Sequence, residues 1–74
     1  MEKINLNTFG NKLKYFMWER SLTGRQFSKM TGIADNTISS YIQHDRIPQV
    51  DYFMRMARAL ELSDAEIVDW IKTI

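Results

Sequence analysis

Between Leu22 and Gln43 the chain reads LTGRQFSKMTGIADNTISSYIQ, and the second half of this stretch gathers side chains that form directional hydrogen bonds. Asp35, Asn36, Thr37, Ser39, Ser40 and Gln43 bring carboxylate, amide and hydroxyl groups. Helical spacing turns them away from Ile38 and Tyr41, so they form a nearly all-polar outward face. A face of this kind can donate to a partner and accept from it. Catalysis is another matter, because the chain has no nucleophile paired with a base, no cluster of metal ligands and no glycine-rich phosphate loop. A lone His44 and the absence of cysteine leave neither a metal site nor a disulfide framework. The residue types therefore indicate binding, with no enzymatic activity, no cofactor and no small-molecule substrate.

Two short helices must position that face. Thr23 and Gln26 have the spacing of a capping box, and Leu22 with Phe27 supplies the apolar staple around it, so a helix starts at Gly24. Gly32 ends it, since a residue without Cβ enters the left-handed conformation that satisfies the last carbonyls. Ile33 and Ile38 repeat the staple spacing around Ala34, which starts the next helix about two residues later. Helices joined by so short a glycine-containing turn cross steeply, as in a helix-turn-helix. Phe27, Met30, Ile33, Ile38 and Tyr41 are then expected to share a core.

The rest of the chain supports this pair. Phe9, Leu13, Phe16 and Met17 form the stripe of an amphipathic helix over Thr8 to Arg20, with Lys12, Lys14, Glu19 and Arg20 off it. Trp18, beside the stripe, either covers the edge of the core or meets a partner. Pro48 makes His44 to Gln49 a loop. Val50, Phe53, Met54, Ala57 and Leu60 define a fourth helix that ends near Glu61. Ser63 and Glu66 form a second capping box, with Leu62 and Ile67 as its staple, and open a fifth helix. Ile67, Val68, Trp70, Ile71 and Ile74 make that last helix more apolar than one packed face requires. It closes the core, or it exposes a patch for a two-fold dimer, with Trp70 and Ile74 as candidate contacts. Met1 to Asn7 reads as a frayed arm.

The expected architecture is one all-α domain over residues 1–74, a compact five-helix bundle with helices at about 8–20, 24–31, 35–43, 50–61 and 64–73. A chain of 74 residues with 45% hydrophobic residues suits a single small core. No apolar run approaches the roughly 20 residues of a membrane span, and the first residues lack a signal-peptide core, so a cytoplasmic location away from the membrane is expected. Net charge is only +1. Its distribution is uneven: residues 1–50 hold seven Lys/Arg and four Asp/Glu, whereas residues 51–74 hold three and five. Such an asymmetry would turn the first half towards a polyanion.

Together these features resemble Cro/repressor-type helix-turn-helix domains of phage and bacterial regulators, the phage-repressor-like, xenobiotic-response-element family. The shared motifs are the FGNKLK start, Leu22-Thr23, Gly32-Ile33, Thr37-Ile38-Ser39, Pro48 and Met56-Ala57-Arg58-Ala59-Leu60. They span roughly Phe9 to Ile67. The resemblance implies a lambda-repressor-like fold and sequence-specific binding of double-stranded DNA by a transcriptional regulator, most simply a repressor. Its third helix would lie in the major groove, and a homodimer joined through the C-terminal helix would place two half-sites about one helical turn apart.

By position, the resemblance assigns base contacts to Asp35, Asn36, Thr37, Ser39 and Ser40. Asn36 would pair with adenine, the serines would donate or accept, and the Thr37 methyl would meet thymine. Phosphate contacts fall to Gly24, Arg25, Gln43 and Arg46. Three residues depart from the family pattern. Gly24 replaces the usual glutamine and keeps only its N–H for a phosphate. Asp35 brings a carboxylate to the groove, where it either accepts from cytosine N4 or stabilises its own helix. His44 stands where glycine usually ends the third helix, and histidine tolerates positive φ. No Lys or Arg occurs from Met30 to Asp45, which implies modest affinity per monomer. The competing function is a protein-interaction module that keeps this fold with weak or no DNA binding.

Overall fold

A computed structural model describes residues 8–44 and 46–74. Among these the chain forms five α-helices and no strand: α1 (Phe9–Glu19), α2 (Gly24–Thr31), α3 (Asp35–Gln43), α4 (Val50–Ala59) and α5 (Asp64–Ile71). The expected arm at Met1 to Asn7 lies outside the described residues, as does Asp45.

Hydroxyl caps start three of the helices. The Thr8 hydroxyl accepts from the Asn11 N–H at 3.2 Å and opens α1. At α2 the Thr23 hydroxyl accepts from Gln26 N–H at 3.1 Å while the Gln26 amide oxygen accepts from Thr23 N–H at 3.0 Å. Ser63 and Glu66 repeat this at α5, at 3.2 and 3.0 Å. Each reciprocal pair satisfies two N–H groups that a helix start otherwise leaves open.

The ends of α1 and α4 share a construction that the residue pattern conceals. Ser21 and Glu61 both adopt φ 53°, and the next residue's N–H reaches back to the helix: Leu22 to Met17 O at 2.9 Å, Leu62 to Ala57 O at 3.1 Å. These are Schellman endings without glycine. They stop α4 at Ala59, two residues before the expected end at Glu61, and they turn Leu22 and Leu62 back onto the core. Gly32 ends α2 at φ 73°, as expected. His44 does not use the left-handed conformation suggested for it, since its φ is −113°.

Trp70 occupies the centre of the core with 0% exposure. Its ring stacks on Phe9 at 4.6 Å and lies 4.8 Å from Phe53, and its indole N–H donates to the Phe9 carbonyl at 3.3 Å. The candidate role of Trp70 in dimer contact is thereby corrected: its side chain is spent closing the bundle. Other apolar expectations change as well, Met54 of α4 being exposed too. Met30 is 52% exposed, because the inward edge of α2 is made by Phe27 and Thr31. Val50 is 78% exposed in the first turn of α4, ahead of the packed edge that begins at Phe53. Trp18, at 73% exposure, does not cover the core and instead tilts against Tyr15 at 6.3 Å.

Two cations of the first half are engaged inside the fold. Lys12, expected off the packed stripe, is buried and paired with Asp69 of α5. Arg20 donates to the carbonyls of Leu60 and Phe16, lies 3.9 Å from Glu66, and so ties the end of α1 to the end of α4. The charge asymmetry counted along the chain thus overstates the positive charge available at the surface.

Candidate nucleic-acid interface

The geometry of α2 and α3 is set by hydroxyls around Gly32. The Thr31 hydroxyl donates to Phe27 O at 2.9 Å and accepts from Ile33 N–H at 3.2 Å. Ser28 donates to Ile33 O at 2.5 Å, across the turn. These bonds satisfy the polar groups of a turn whose Ile33 is buried, which would otherwise be costly. Sequence reading missed them, since Ser28 and Thr31 look like ordinary helical polar residues. Their spacing around the glycine was the available signal.

From the other side α3 is seated on α1. A Cβ on Gly10 would stand 2.3 Å from Tyr41 O and 2.8 Å from Ile42 O, so only glycine lets the two helix backbones approach this closely. Ile38 and Tyr41 anchor the helix inward, and burial pushes the Tyr41 phenol pKa up. The helix is held along its length while its far side stays open.

On that open side Asn36 and Gln43 are exposed, and Ser39 and Ser40 are half-buried between the exposed and packed sides. Asn36 stands near the middle of the face by helical spacing. Ser40 Oγ donates to Asn36 O at 3.1 Å, which leaves its lone pairs as the part offered outward. Thr37 sits at the edge, where it lines a shallow pocket with Tyr41, Arg46, Ile47, Pro48, Gln49 and Tyr52. The helix cap of α3 is Ala34, which offers no side-chain acceptor, and Asp35 is the first helical residue. Asp35 therefore stabilises α3 through its charge in the first turn rather than as a cap.

The residues assigned to phosphate lie at the start of α2, at the end of α3 and in the loop after it. Arg25 and Gln43 are exposed, as is Arg46 in the loop that follows. Gly24 is half-buried, and a Cβ there would lie 3.0 Å from Asp35 Oδ1. Two departures from the family pattern, Gly24 and Asp35, thus belong to one local arrangement. Val68 and Ile71 of α5 are exposed, as is Ile74 beyond its end.

A profile of the helix-turn-helix family matches residues 13–67, more than half of the chain and all of α2, α3 and α4. The chain belongs to the Cro/C1-type helix-turn-helix family. No curated protein and no solved structure gives a match. Membership in the Cro/C1-type family carries DNA binding in transcriptional regulation, a role typically without enzymatic activity. The five-helix, strand-free arrangement of the described residues is the lambda-repressor-like form of that family. Among the described residues no helix is long and apolar enough to cross a membrane.

Proposed function

We propose that this domain, residues 1–74 acting as one unit, is the sequence-specific reader of a repressor, with α3 in the major groove of double-stranded DNA. The observation that carries the reading is the exposed polar side of α3, centred on Asn36 and backed by the buried Ile38 and Tyr41. Asn36 gives adenine its N6/N7 pair, while Asp35, Thr37, Ser39 and Ser40 meet neighbouring base edges. Gly24, Arg25, Gln43 and Arg46 position the domain on phosphates. A homodimer with its two-fold axis at α5 brings two such faces to half-sites about one helical turn apart. Ile74, with Val68 and Ile71, supports that assignment because these side chains remain exposed. The protein acts where the DNA is, in the cytoplasm of a bacterial cell.

Fluorescence anisotropy on duplex DNA over a range of salt tests the reading. Binding should weaken steeply with salt. Asn36→Ala should cost about 1 to 3 kcal/mol on the preferred sequence and relax one position, whereas Arg46→Ala should weaken all sequences alike and lower the salt slope. An absence of binding at low salt would leave the fold as a protein-interaction module. Sedimentation of wild type against Ile74→Ser tests the dimer contact.

A further inference from the structure

The last helix carries two charges that the fold does not engage. Glu66 serves the cap at Ser63, and Asp69 is paired with Lys12. Asp64 and Lys72 are exposed and take part in no ion pair among the described residues. Lys72 continues the helical backbone past the end of α5, at φ −63° and ψ −16°, and its N–H donates to Val68 O at 3.1 Å. Asp64, Val68 and Lys72 therefore stand at i, i+4 and i+8, on one side of the helix. With Ala65 they line one shallow groove, and Val68 at its middle is exposed. Ile71, also exposed, borders that side.

An acid at one end, a base at the other and an apolar residue midway form a pattern that is its own complement when reversed. Laid antiparallel across a two-fold axis at Val68, a second copy brings its base to Asp64 and its acid to Lys72, because the two positions are equidistant from the axis. Ile71 of each copy then comes level with Ala65 of the other, large against small. A parallel pairing would instead set acid against acid and base against base.

We infer that α5 pairs with α5 of a second copy in antiparallel register, with Val68 on the axis and an Asp64–Lys72 ion pair on each side of it. The inference rests on the homodimer reading above and adds to it the orientation, the register and a rule of partner choice. A chain fits only if its last helix starts with an acid and ends with a base at these two places. Attraction across an exposed ion pair is small, so the choice acts mainly by repelling chains with like charges there.

Sedimentation equilibrium of the full chain, as wild type, Asp64→Lys, Lys72→Glu and the double reversal, tests this. Each single reversal should weaken self-association roughly tenfold, since the axis turns both ion pairs into repulsions. The double reversal carries both changes at the helix ends, yet it should dimerise as wild type does. An equimolar mixture of the two single variants should likewise recover wild-type association, as heterodimers. A double reversal no tighter than the singles would overturn the inference, because losses of helix stability add where restored ion pairs cancel. Single reversals that associate like wild type would overturn it as well, and would indicate a parallel pair or another register. A wild type that stays monomeric at every concentration would remove the homodimer reading itself, and the register with it.

Discussion

The corner between α1 and α2 and the corner between α4 and α5 are built alike, yet they differ in charge. Each has a left-handed residue without glycine (Ser21, Glu61), a leucine folded onto the core (Leu22, Leu62), a hydroxyl cap (Thr23, Ser63) and a reciprocal partner three residues on (Gln26, Glu66). The first turn of α5 holds Asp64 and Glu66, whereas the first turn of α2 holds no acid and carries Arg25. A carboxylate is the better partner for the positive end of a helix. Its absence from α2 is a concession in stability. One construction thus carries two charge patterns: an acidic first turn at α5, and a first turn at α2 that holds a cation and no acid.

The shared construction can be tested by truncating both leucines. Leu22→Ala and Leu62→Ala should each cost about 2 kcal/mol, the lower end of the core range because both side chains are only partly buried. Urea unfolding would check it, and a loss at one corner alone would break the equivalence. The difference in charge is tested by exchanging the partners. Gln26→Glu should reduce DNA affinity roughly tenfold by placing an acid beside phosphates, while raising stability by about 0.3 to 1 kcal/mol. Glu66→Gln should leave DNA affinity unchanged in the same anisotropy assay.

Smaller effects follow from the caps. Thr23→Ala and Ser63→Ala should each destabilise by about 1 kcal/mol. The two corners should also separate by pH. The Ser63 N–H and hydroxyl hold the Glu66 carboxyl below its ordinary value of 4.5. A carboxyl lowered by folding adds stability above the ordinary value and loses it as pH falls through the lowered folded value. Acid titration of wild type should therefore show a component of unfolding below pH 4.5 that Glu66→Gln lacks and Gln26→Glu enlarges. The smallest expected change is a gain: Ser21→Gly and Glu61→Gly should stabilise by about 0.5 kcal/mol each, the relief of positive φ less the entropy that glycine adds to the unfolded chain. Thermal unfolding would detect it.

The five helices were legible because apolar periodicity and capping signals agree along most of the chain. The endings at Ser21 and Glu61 were not, since a left-handed residue other than glycine leaves no compositional mark. The two tryptophans show a further limit. Trp18 and Trp70 both lie next to apolar neighbours on amphipathic helices, and only the packing of α1, α4 and α5 around one ring decides that Trp70 is inside and Trp18 is out. Lys12 misled for the same reason, as its partner Asp69 is 57 residues away. In the candidate interface the polar character of Asn36, Ser39, Ser40 and Gln43 was readable from spacing. The approach of Asp35 to Gly24 was hidden, because it depends on how two helices meet.

The contact between Trp70 and the Phe9 carbonyl joins positions 61 residues apart, so the core cannot close until nearly all of the domain has left the ribosome. The helix-turn-helix emerges much earlier and must wait, lacking its central ring. Synthesis order thus separates the appearance of α3 from its competence, and a nascent chain stalled before Trp70 should remain open to proteolysis. Trp70 and Trp18 provide an optical readout of that moment, since one indole enters a dry core while the other stays in water.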